Sequence, residues 1–206
     1  ADLERLFGVT INELAIFDAL ETHVSVQLAR ATVPLIEMDS YYLPDTAGLT
    51  YRQEHGKTTV AILALDASRK TMRYAHNAGV FSLSGADYDG IFGHLPEQKA
   101  QADRLFPYAE FARFGAPPAA RSLADEAAAL LLHHLGHRPR ANPVAAYQAA
   151  FPAHAERLAA RDPAFFHPYA FNTLRQLGAN FELLGDHLDW LGREKIIDLK
   201  SEIDAA

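Results

Sequence analysis

The tetrad Gly115-Ala116-Pro117-Pro118 separates two stretches whose apolar residues recur with different periods. Proline and glycine together end both helices and strands, so this is where one architecture stops and another begins. Upstream, short alternating or continuous apolar runs predict strands. Downstream, apolar residues three and four apart predict helices throughout. Strands gathered in one part of a chain and helices in the other imply an α+β protein. The expected division is an α+β portion over residues 1–115 and an all-helical region over 116–206.

Within the first portion, Val33 to Asp39 is a short apolar run ending in an acid, which predicts a buried strand. Ser40 to Gln53, with Pro44 and Gly48, predicts a loop. Lys57 to Asp66 and Thr71 to Asn77 predict a hairpin turning through Asp66 to Lys70. Val80 to Leu83 and Tyr108 to Phe114 predict further strands, and Ser84 is expected to cap a short helix reaching Phe92. Thr10-Ile11-Asn12-Glu13 has the form of a capping box, whose Thr and Glu side chains satisfy each other's free backbone donors. The helix it would open carries Leu14, Phe17, Leu20, Val24 and Leu28.

In the second portion, Ser122 caps a helix ending at Gly136, while Asn142-Pro143 and Asp162-Pro163 place caps before prolines. Pro152 is expected to break or kink the second helix. The last long helix carries Ala170, Leu174, Leu177, Phe181, Leu184, Leu188 and Leu191 in steps of four and three, a heptad seam. Gly178, Gly185 and Gly192 fall seven apart beside it. Glycine inside a helix costs about 1 kcal/mol relative to alanine, so close approach of another helix is the expected reason for them.

Charge and composition narrow the function. Nineteen basic and twenty-six acidic residues give a net charge of −7, whereas a groove for nucleic acid requires a basic excess. Apolar runs such as Val60 to Leu65 are too short to span a bilayer, and no secretory signal opens the chain, so a cytoplasmic location without membrane contact is expected. There are no cysteines, which removes disulfides, thiolate metal sites and thiol nucleophiles from these residues. His133 and His137 stand four apart, but the third ligand and the glutamate of a metalloprotease motif are missing, so no metal is expected. Nucleophile-elbow, phosphate-loop and dinucleotide patterns are absent.

Polar and aromatic residues concentrate in Asp39-Ser40-Tyr41-Tyr42-Leu43-Pro44-Asp45, then around His55, and again at His76-Asn77. An imidazole and an amide at the two ends of a hairpin suit a thiol transferase, which must hold its general base in one tautomer. The alternative is a loop whose Asp and Asn bond only turn backbone. On the first reading His55 and Asn77 are catalytic, and Asp39, Tyr41, Tyr42, Asp45 and His76 line the substrate site. A turn pairing Leu65 with Lys70 would put Asn77 opposite Thr58, so an irregularity at Gly56 is expected to bring His55 and Asn77 together. His76 is the competing base, or else a core histidine under the sheet.

The run Asp39 to His55, with Lys57-Thr58-Thr59, His76-Asn77-Ala78-Gly79, Gly85-Ala86-Asp87-Tyr88-Asp89-Gly90, Tyr169-Ala170-Phe171 and Thr173-Leu174-Arg175-Gln176, resembles the bacterial family of domain of unknown function 1839. Its members are often encoded beside stand-alone amino-acid:carrier-protein ligases. More distantly, the Asp-x-Tyr-Tyr-Leu-Pro stretch is similar to the acyltransferase of butirosin biosynthesis, a papain-like protein with Cys, His and Asp or Asn. The resemblance implies a papain-like antiparallel sheet portion and an acyl or aminoacyl transferase acting on a carrier-protein thioester. His55 would be the base and Asn77 its orienter. Partners would be a carrier protein or its ligase. No cofactor beyond the carrier's phosphopantetheine arm is implied. Family members extend further at the N-terminus, so a truncated chain is expected, with the nucleophilic Cys in the missing region. Without that Cys, a non-catalytic module binding the carrier protein or ligase is the alternative.

Overall fold

The computed structural model describes residues 2–99, 107–116 and 122–198. Its internal contacts divide the chain into two units, residues 1–118 and 119–206. Among the described residues, the first unit carries a six-stranded sheet in the order β1-β6-β2-β3-β4-β5. The strands are β1 (Val9–Glu13), β2 (Val33–Asp39), β3 (Lys57–Asp66), β4 (Thr71–His76), β5 (Gly79–Ser84) and β6 (Ala109–Phe114), and every neighbouring pair is antiparallel. Four helices accompany them: α1 (Asp2–Phe7), α2 (Leu20–Ala29), α3 (Ala86–Phe92) and α4 (Pro96–Lys99). With the helical second unit, this is the α+β class expected.

Alternation decides what each strand buries. Pro34, Ile36 and Met38 of β2, Val60 and Ile62 of β3, and Met72, Tyr74 and His76 of β4 turn to the covered face. Val24 of α2 and Tyr88 and Ile91 of α3 meet them in one core cluster. The register of β3 against β4 shifts between Ile62 and Ala64, so Leu65 lies opposite Met72. The extra residue is why Ile62 and Leu65, three apart, both pack towards the core. The expected irregularity at Gly56 is therefore found instead in the middle of β3.

The capping box is a correction. Residues Val9–Glu13 form β1, paired with β6 from Val9 opposite Phe114 to Glu13 opposite Glu110. The ladder satisfies the backbone groups that a cap would have served, and β-branched Val9, Thr10 and Ile11 suit a pleated strand. The helix begins only at Leu20. Leu14, Leu20 and Leu28 still pack on the core, as their spacing suggested, but Phe17 is 84% exposed. His23 fastens the turn into α2: its Nε2 accepts from the backbone N–H groups of Phe17 (3.2 Å) and Asp18 (3.1 Å). The helix ending at Phe92 is also present, but Gly85 rather than Ser84 is its N-cap residue.

The second unit contains α5 (Leu123–Gly136), α6 (Pro143–Ala159), a 3₁₀ turn (Pro163–Phe165), α7 (Phe166–Ala170), a π turn (Phe171–Arg175) and α8 (Gln176–Arg193). Ser122, Asn142 and Asp162 accept from the first free N–H groups at the starts of α5, α6 and the 3₁₀ turn. Pro152 does not break α6, which runs through it; flanking alanines favour the helix despite the one lost donor. The π turn has a local cause. The Asn172 amide donates to the Pro168 carbonyl (2.8 Å) and the Thr173 hydroxyl to that of Tyr169 (2.6 Å), competing with the i→i+4 ladder. The expectation for the glycine stripe is overturned. A Cβ added at Gly178, Gly185 or Gly192 meets nothing within 4 Å, so no described neighbour requires glycine there. No helix among the described residues is long and apolar enough to cross a membrane.

Candidate functional site

Asp39 ends β2 and Lys57 begins β3, and the two are register partners. Two residues beyond that pair, the chain emerging from β2 meets the chain entering β3, so Tyr41 faces His55. Their rings stack with centroids 4.4 Å apart and planes 15° from parallel. The Asp39 carboxylate is fixed by three donors: the backbone N–H of Tyr41 (3.0 Å) and of Gly56 (3.3 Å) on Oδ1, and His55 Nδ1 on Oδ2 (2.6 Å). An ionised carboxylate only accepts, so Nδ1 carries the proton. Nε2 then bears the lone pair of the neutral ring and has no hydrogen-bond partner among the described residues.

His55 and Asp39 line a cleft of about 1160 Å³, to which Leu14, Ile16 and Met38 add apolar surface and Tyr108 a phenol. The His55 side chain is 65% exposed, so its base is open to an incoming molecule. Acidic groups outnumber basic ones there: Glu13 and Glu37 join Asp39, against Lys57, whose Nζ is 3.0 Å from Glu37. The Tyr108 hydroxyl donates to Glu110 (3.0 Å) and Glu13 (3.2 Å). These bonds, the one to Glu110 foremost, push its pKa up to about 12.

The expected contact between His55 and Asn77 is a correction. His55 pairs with Asp39 instead. Asn77 begins the two-residue turn joining β4 to β5, with φ +49, a conformation that Asn tolerates better than most side chains. Its amide nitrogen lies 3.5 Å from Nδ1 of neighbouring His76. Asp39, Tyr41 and, edge-on at 6.1 Å, Tyr42 surround the His55 ring, while the Tyr42, Asp45 and His76 side chains are themselves buried. Tyr42 is 6% exposed, and burial, followed by the Asp39 charge, raises the pKa of its phenol. Asp45 and His76 form a second carboxylate–imidazole pair, Oδ2 to Nδ1 2.6 Å, with side chains only 3% and 6% exposed. The Tyr74 hydroxyl donates to the other Asp45 oxygen at 2.5 Å, and Thr58 Oγ1 lies 2.8 Å from His76 Nε2.

Asp87 was missed by sequence reasoning. In the first turn of α3, it accepts from the Tyr51 hydroxyl (3.0 Å) and pairs with Arg52, whose guanidinium lies 5.4–5.6 Å from the rings of Tyr41, Tyr42 and Tyr51. The loop carrying the aromatic residues is thereby tied to α3. Gly90 admits the Tyr42 ring, which stands where a Cβ would be. His94 bridges Glu21 (2.7 Å) and Asp89 (3.2 Å). His137 Nδ1 donates to the His133 carbonyl (2.8 Å), and among the described residues no three metal-ligating side chains converge.

A comparison with curated proteins finds no match. Family models do match: the DUF1839 N-terminal domain over residues 1–114 and the DUF1839 C-terminal domain over residues 120–206. The residues around the Asp39–His55 pair and the Asp87 anchor all fall within the first of these, and the chain belongs to the DUF1839 family.

Proposed function

We propose that the Asp39–His55 pair is the general-base half of an acyl or aminoacyl transferase acting on a carrier-protein thioester, in a papain-like arrangement whose thiol comes from outside these 206 residues. One observation carries this reading: the carboxylate holds Nδ1 at 2.6 Å and leaves Nε2 unoccupied beside the cleft. In the reaction Nε2 takes the proton of the attacking thiol. The thiolate adds to the thioester carbonyl, the original C–S bond breaks, and the imidazolium returns its proton to the departing pantetheine thiolate. Asp39 stabilises the imidazolium while the proton is on it.

N-acetylcysteamine added in solution tests this by standing in for the missing nucleophile. Without it the chain should not speed loss of an amino acid from its carrier. With it, acyl transfer to the small thiol should quicken, and His55→Ala should slow that transfer by about 10²–10⁴-fold, the usual contribution of a positioned base. Equal rates for the two proteins would overturn the assignment. The absence of cysteine from the chain favours a second reading, a module that binds the carrier protein or its ligase without turnover. Saturable carrier binding with no His55-dependent rate would establish that reading instead.

A further inference from the structure

We propose that Thr58, His76 and Asp45 form a nucleophilic triad, separate from the Asp39–His55 pair, that takes an acyl group from an ester or thioester onto the Thr58 hydroxyl. The three side chains stand in the required order: Oγ1 of Thr58 2.8 Å from Nε2 of His76, and Nδ1 of His76 2.6 Å from Oδ2 of Asp45. Each comes from a different segment of the first unit: β3, β4 and the 3₁₀ turn Pro44–Thr46.

The polarity of the chain follows from its burial. Asp45 is 3% exposed and receives two donors, Tyr74 OH at 2.5 Å and the His76 ring. A carboxylate supplied with two hydrogen bonds is tolerated as an anion in an interior. Burial, followed by the Asp45 hydrogen bond, drives the Tyr74 phenol far above its ordinary pKa, so it remains a donor. With Asp45 accepting, His76 carries its proton on Nδ1 and presents Nε2 to accept from Thr58. The buried His76 ring needs a partner at each nitrogen, and Thr58 supplies the one at Nε2. The hydrogen-bond chain thus ends on Thr58, a residue that retains part of its surface, while the two supporting side chains have lost nearly all of theirs.

In the acylation step the Thr58 proton passes to His76 Nε2 and Oγ1 bonds to the carbonyl carbon. The bond from that carbon to the leaving oxygen or sulfur breaks, and the leaving group takes the proton from Nε2. Water, deprotonated by the same nitrogen, then adds to the acyl carbon; the bond from that carbon to Oγ1 breaks, the acid leaves, and Oγ1 recovers its proton from Nε2. This step uses neither His55 nor an external thiol.

The probe is p-nitrophenyl acetate, with nitrophenolate release followed through the first turnover and the adduct located by peptide mass spectrometry. Wild type should show a burst and an acetyl group on Thr58. Thr58→Val, close in shape, should lose both, while Thr58→Ser should keep them. An acetyl group located on the exposed imidazole of His55 and not on Thr58 would assign the burst to that ring and overturn the proposal. Absence of an acetyl group on wild-type Thr58, or a burst undiminished in a folded Thr58→Val, would overturn it. Peptide mapping of the wild type decides the matter even if the valine variant does not fold.

Discussion

Replacing Gly90 by alanine should destabilise the first unit, although alanine is normally the better helix former. The Cβ would lie 2.2 Å from Cδ1 and Cε1 of Tyr42 and 2.6 Å from its Cγ. Ordinary carbon contacts begin near 3.5 Å, so the ring stands roughly 1.3 Å too close. Tyr42 cannot yield freely, because it is 6% exposed and meets Tyr41 edge-on at 4.9 Å. Overpacking of this kind costs about 1–3 kcal/mol. Gly178→Ala is the natural control: it sits inside α8 with open space around its Cβ and should stabilise by about 0.8–1.0 kcal/mol. Urea unfolding followed by circular dichroism reads both effects. With a slope of about 2 kcal/mol per molar, the Gly90→Ala midpoint should fall by roughly 0.5–1.5 M. Trp190, the single tryptophan, lies in α8 and reports the control by fluorescence. In a Tyr42→Ala background the cost of Gly90→Ala should vanish, since the clashing ring is gone. A Gly90→Ala protein as stable as wild type would refute the packing of Tyr42 against α3.

Two other outcomes follow from single contacts. Asn142 accepts from the N–H groups of Val144 (3.0 Å) and Ala145 (3.3 Å), so Asn142→Ala should cost the second unit about 1 kcal/mol, read as a lower urea midpoint; an unchanged midpoint would mean the cap contributes nothing. Asp89 is held below the ordinary carboxylate range, first by its hydrogen bond to Lys70 and further by His94. A depressed carboxyl contributes stability above its unfolded value and loses it as pH falls through the lower folded value. Lys70→Gln should therefore weaken the protein at neutral pH and flatten the acid limb of its stability profile, and a profile parallel to wild type would contradict the pairing.

Where the strands lie was legible because β2 and β3 combine an apolar run with abrupt polar ends, and Val33–Asp39 and Lys57–Asp66 both match the structure. The failure at Thr10–Glu13 has a physical source. Local chemistry there supports a capped helix and a strand equally, and the choice is made by β6, nearly a hundred residues away in sequence. A local pattern cannot contain that term. The glycine stripe failed differently: a seven-residue repeat records position on the helix, but says nothing about whether anything occupies the space beside it.

Finding the partner of His55 was a problem of register rather than of chemistry. Pairing β3 with β4 directs attention to Asn77, whereas the pairing that matters is β2 with β3, and it joins residues on either side of a seventeen-residue connection. The clue available in sequence was an acid at the last position of one strand and a histidine two residues before the next. Antiparallel strands closing such a loop bring those two ends together whatever the loop contains. The same logic explains why His76 is interior. It follows Met72 and Tyr74 at even spacing, so the pleat that buries them buries the imidazole, and a buried imidazole needs partners at both nitrogens. Asp45 and Thr58 provide them, one from the loop and one from the adjacent strand. Alternation along β4 thus specified a satisfied pair before any reaction was considered, and whether Thr58 also reacts depends on its remaining exposed surface, which strand periodicity does not encode.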